Sequence, residues 1–180
     1  MGASPYQHSK FSIWTNLAYS ITGVLLFLME LPVIALSFIT LGIGSFWYHN
    51  TGSRNAVVFD YFGMFIVLSS IIVHNLTIAT LLSGPLLYVI FFLSLVCYSP
   101  FLKKAQWNFT LIGIGFIGMT TSAFLAMPWG DPLIGIGLFA LSLFFRSFVV
   151  LNLTKPENEG FYHGLWHLLT CLAFLFFIAI

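Results

Sequence analysis

The sequence predicts an all-α membrane protein, a seven-transmembrane helix bundle with its N-terminus in the cytoplasm and its C-terminus outside. Three observations predict it. Of the 180 residues, 59% are hydrophobic and only 6% are charged, against about 25% charged in an ordinary soluble domain. The apolar residues fall into seven runs, each near the roughly 20 residues that a helix needs to cross a hydrocarbon core. Every basic residue then lies on one side of the resulting topology.

The first run, 11–29, follows the stretch MGASPYQHSK, too polar for the centre of a signal peptide. It stops at Glu30-Leu31-Pro32, where proline restarts the chain. The second, 32–50, ends at Gly52-Ser53-Arg54-Asn55, and the third, 56–79, runs on to Ser83-Gly84-Pro85. The fourth, 84–101, is closed by Lys103-Lys104, and the fifth, 107–127, by the stretch from Pro128 to Pro132. The sixth, 132–151, and the seventh, 161–180, flank the polar segment from Thr154 to Gly160. In lipid each backbone polar group must be paired within its own segment, so these runs read as helices. With no internal repeat, residues 1–180 read as a single domain.

Seven spans put Lys10, Arg54, Lys103, Lys104, Arg146 and Lys155 on the amino-terminal side, and these are all six Lys and Arg residues. Glu30 and Asp131 fall on the other side. Basic loops stay in the cytoplasm, which gives the orientation. The net charge of +1 is uninformative, but no basic run exists to hold a phosphate backbone, so no nucleic-acid partner is expected. The two cysteines, Cys97 and Cys171, lie in or beside apolar runs and make no disulfide framework. The sequons at Asn75, Asn108 and Asn152 read as incidental.

Against this hydrocarbon background stand Ser45-x-x-x-His49, Asp60 and His163-x-x-x-His167. Polar and ionisable residues within a span are costly and mark function. Residues four apart share a helix face. The topology brings the end of span 2 and the starts of spans 3 and 7 to one depth, on the cytoplasmic side. Three histidines from two helices supply three metal ligands and leave one position for water, the pattern of a catalytic zinc rather than a structural one. Asp60 has a second candidate partner in Arg146, near the same end of span 6. His74, about 20 Å from Asp60 at the helical rise, reads as an interfacial histidine, and His8 as solvated. Asn16, Tyr19, Ser20 and Gly23 share one face and read as a helix-packing stripe in preference to a substrate contact.

The local sequences TNLAYSITG (15–23), GIGSFWYHNT (42–51), VVFDYFGMF (57–65) and HGLWHLLT (163–170) together resemble the alkaline ceramidases and the wider CREST superfamily. That superfamily includes the adiponectin-type receptors and the Per1-like lipid-remodelling proteins, and the likeness extends over the whole seven-span core. The resemblance implies His49, His163 and His167 as zinc ligands, with Asp60 as the acid holding the zinc-bound water. It implies Ser45 as the hydroxyl beside that water, and hydrolysis of an amide bond in a lipid such as ceramide. Acyl chains of that lipid would lie among the spans. Eukaryotic relatives bind calcium through an acidic amino-terminal cluster; residues 1–15 hold no Asp or Glu, so no calcium site is expected.

Other functions share parts of this pattern. A glycerolipid esterase of the same superfamily would use the same residues, and a lipid sensor of the receptor type would keep the zinc site. Loops of a few residues disfavour a protein-ligand receptor. A transporter calls for polar residues along the full membrane depth. A small chain without extra domains reads as a prokaryotic plasma-membrane version.

Overall fold

Proline, glycine and serine set several of the helix ends. The computed structural model describes residues 10–79, 85, 86, 89, 93 and 105–180, and the regular structure among them is entirely helical. The helices are α1 (Lys10–Thr15), α2 (Leu17–Leu28), α3 (Pro32–Thr51), α4 (Arg54–Ile78), α5 (Ala105–Ala126), α6 (Gly130–Val150) and α7 (Pro156–Leu175). Four rods, Lys10–Leu28, Pro32–Thr51, Arg54–Ile78 and Gly130–Val150, are long and apolar enough to cross a membrane. The expected fourth span, 84–101, with Cys97, Lys103 and Lys104, lies outside the described residues, apart from helical Pro85, Leu86, Val89 and Leu93. His8 lies outside them too.

The tight break between the second and third spans is resolved by two residues. Gly52 caps α3 in the left-handed conformation, with φ 61°, where a residue lacking Cβ is favoured. Ser53 then caps α4, its Oγ accepting from Ala56 N at 3.1 Å. Pro32 opens α3 at its first turn, as the sequence suggested.

The first and seventh spans differ most from expectation. The first span is broken at Asn16, whose Nδ2 donates to Ser12 O at 2.8 Å and competes locally with the helix. The seventh helix runs Pro156–Leu175, starting and ending five residues before the expected 161–180. Proline fits the first helical position, and Glu157 and Glu159 favour the positive end of the helix dipole.

Burial runs opposite to a soluble protein. Ile21, Leu28, Leu36, Ile43, Leu133 and Phe144 face outward, while Asn16, Ser45, His49, Asn75, His163 and His167 are buried. An apolar exterior around a partly polar interior suits a lipid solvent. The apolar core is built on Phe38, Leu41, Val67, Leu68, Ile71, Met119, Phe174 and Phe177. α3 lies between α2 and α4, α5 packs on α4, α6 on α7, and α1 on α7. Small residues let these backbones touch: a Cβ on Gly63 would stand 2.7 Å from Leu41 Cα, and one on Gly42 2.9 Å from Ser20 N. α2, α3 and α4 thus form one closely packed post.

At one end, His74 does more than sit at an interface. Its Nε2–H donates to Ala179 O at 2.7 Å. Beside it Asn75 donates to Phe177 O (2.7 Å) and Ser122 Oγ (3.3 Å) and accepts from Ala179 N (3.1 Å). The pair ties α4 to α5 and to the chain after α7. Asn75 is fully buried, in keeping with an incidental sequon.

Candidate metal centre

The other end of the bundle collects the histidines. His49 lies in the last turn of α3 with Ser45 one turn earlier, Asp60 lies in the second turn of α4, and His163 and His167 occupy one face of α7. All three histidines are buried, at 1%, 2% and 3% exposure. His49 Nε2 is 3.2 Å from both His163 Nε2 and His167 Nε2, and those two are 3.0 Å apart.

Hydrogen bonding alone cannot satisfy this triangle. A ring nitrogen is either a donor or an acceptor along its one in-plane direction. Three nitrogens of two kinds must leave at least one edge joining like with like, which is costly where water is excluded. A cation accepting all three lone pairs removes the conflict. Three imidazole nitrogens on a tetrahedral zinc, each bonded at about 2.0–2.1 Å, stand roughly 3.3 Å apart, close to the spacing here. The donor set therefore fits a metal ion such as zinc, and these three residues form the described group able to hold one.

Around the triangle the polar partners differ. Tyr19 Oη lies 3.4 Å from His167 Nδ1, with the two rings edge to face. Arg146, considered above as a partner for Asp60, places Nη1 3.1 Å from His163 Nδ1 and its Cζ 5.0 Å from the centre of the Trp166 ring. Trp166 Nε1 is buried and makes no hydrogen bond among the described residues, an arrangement that calls for an explanation. Ser45 Oγ donates to Asn16 Oδ1 at 2.9 Å and stands beside the Asp60 carboxylate. Asp60 also lies within electrostatic range of Tyr19.

The histidines expected to converge do so, and Ser45 and Asp60 are neighbours. Asn16, Tyr19 and Arg146 were not assigned to the site from the sequence. The small members of the expected packing stripe do pack: Ser20 meets Gly42, and Gly23 meets Ala35 and Ile39. The larger two, Asn16 and Tyr19, turn toward Ser45 and His167. Their size and polarity beside two small residues was the available signal. No family model matches the chain, and no curated protein matches it.

Proposed function

We propose that the chain is a zinc-dependent intramembrane hydrolase that cleaves an amide bond in a lipid, ceramide or another N-acyl lipid. The observation that carries the reading is the buried triangle of three Nε2 atoms 3.0–3.2 Å apart. Four local motifs similar to the alkaline ceramidases support the amide. In this reading seven spans place the site near the cytoplasmic side of a prokaryotic plasma membrane.

His49, His163 and His167 would hold a zinc ion, which would supply Lewis acidity toward a carbonyl and water. Asp60 takes a proton from the attacking water and passes it to the leaving nitrogen as the C–N bond breaks, giving fatty acid and amine. Ser45, beside that carboxylate, turns its O–H from Asn16 Oδ1 to the carbonyl oxygen as negative charge grows there. A donor so placed is worth roughly 2.7–4 kcal/mol. Trp166 Nε1–H is available to an acceptor on the lipid, and apolar walls between helices receive the acyl chain.

The test is purification without added metal, metal analysis, and incubation with labelled ceramide, N-acyl amino lipid and phospholipid. The expected result is one zinc per chain and release of fatty acid from the amides. Asp60→Asn should keep zinc and lose turnover. Absence of stoichiometric zinc defeats the reading, and cleavage confined to phospholipid converts it to an esterase.

A further inference from the structure

α7 offers two histidines to the cluster, and their outer nitrogens meet opposite kinds of partner. His167 Nδ1 faces the Tyr19 hydroxyl at 3.4 Å, and a hydroxyl accepts as well as donates. His163 Nδ1 faces Arg146 Nη1 at 3.1 Å, and a guanidinium only donates. Arg146 therefore donates to His163 Nδ1, which presents a lone pair. The hydrogen of that neutral ring then sits on Nε2, the atom 3.2 Å from His49 Nε2 and 3.0 Å from His167 Nε2.

A metal binds imidazole through a bare nitrogen, while the other nitrogen's N–H is donated outward to an acceptor. Tyr19 suits that arrangement at His167. Arg146 opposes it at His163: once Nε2 is the ligand, the hydrogen on Nδ1 points at a donor. The positive charge of the guanidinium opposes an incoming dication as well.

We propose that Arg146 is a positioning residue that holds His163 in its non-ligating form, so that the metal loads only when the guanidinium leaves this ring. The inference rests on the metal-centre reading above. The face of Trp166 offers the displaced guanidinium a neighbouring resting place, since Arg146 Cζ is already 5.0 Å from that ring's centre. His49 and His167 then form the standing part of the site, and His163 is the ligand that joins last. Arg146 makes the centre exchangeable at the cost of affinity.

The experiment measures zinc affinity of the full chain in detergent, by competition with a chromophoric chelator at one fixed pH, for wild type and Arg146→Gln. Glutamine replaces a pure donor with a side chain whose Oε1 accepts the Nδ1–H. The expected result is zinc bound about 10–100-fold more tightly, the range for outer partners of metal-bound histidines. A damaged fold only weakens binding, so the direction of the change separates this role from a structural one. Unchanged or weaker affinity in the variant, with wild type binding zinc, overturns the inference alone. Wild type and variant both failing to bind zinc overturn the metal-centre reading itself. A second measurement needs no variant: nitrogen NMR of metal-free, 15N-histidine-labelled wild type should place the His163 hydrogen on Nε2, and finding it on Nδ1 overturns the proposal.

Discussion

Polar clusters are buried at both ends of α4, and they obey different rules. Around Asn75 every donor meets an acceptor: Nδ2 reaches Phe177 O and Ser122 Oγ, Oδ1 takes Ala179 N–H, and Ser122 in turn donates to Met119 O. Around His49 the geometry forces like against like on at least one edge. The first cluster is complete as it stands, and a cation would remove the conflict in the second. Burial is equal at the two ends, so burial of a polar group does not separate structure from function. The matching of donors to acceptors does.

Substitutions can break this contrast. His49→Leu should abolish stoichiometric zinc binding, a loss exceeding the roughly 100-fold that an outer partner costs. In the metal-free state the lost like-against-like edge offsets the bonds the ring makes, so the variant should lose less stability than Asn75→Leu does; an equal loss would erase the distinction. Asn75→Leu should do the reverse, leaving zinc affinity intact while costing about 2–3 kcal/mol in reversible unfolding, since Phe177 O and Ala179 N lose their partners. Tyr19→Phe sharpens the comparison within the histidine end. Losing the acceptor for His167 Nδ1 should weaken zinc about 10-fold, with little change in metal-free stability. Ser37→Ala, which removes the 2.9 Å contact to Ser70 Oγ in the middle of the bundle, should cost only about 0.6 kcal/mol, the average for such bonds in membranes.

The histidine set was legible in the sequence because helical periodicity and basic-residue asymmetry are both one-dimensional signals. His163 and His167 are four apart, and the topology put His49 at their level. The turn at Gly52-Ser53 was legible for a similar local reason. The break at Asn16 was not, because it depends on a side chain choosing its own backbone carbonyl over the helix. Tyr19 and Arg146 were missed since their roles follow from which nitrogen of a distant ring they face. His74 was read as interfacial because its partner, Ala179 O, is a backbone atom at the far end of the chain. A sequence carries no mark of such a partner.

The closely packed α2–α3–α4 post also has a bearing on how the ends of the chain are joined. It holds His49, while His163 and His167 come from the α6–α7 pair. An ion shared by His49 and His163 would bridge residues 114 positions apart, acting as a removable cross-link across most of the polypeptide. Closing a loop of about 100 residues by a covalent bridge lowers the entropy of an unfolded chain by up to roughly 4.7 kcal/mol at room temperature. Occupancy would thus fasten the first half of the bundle to the last, and a chelator would unfasten it without cutting a bond in the chain.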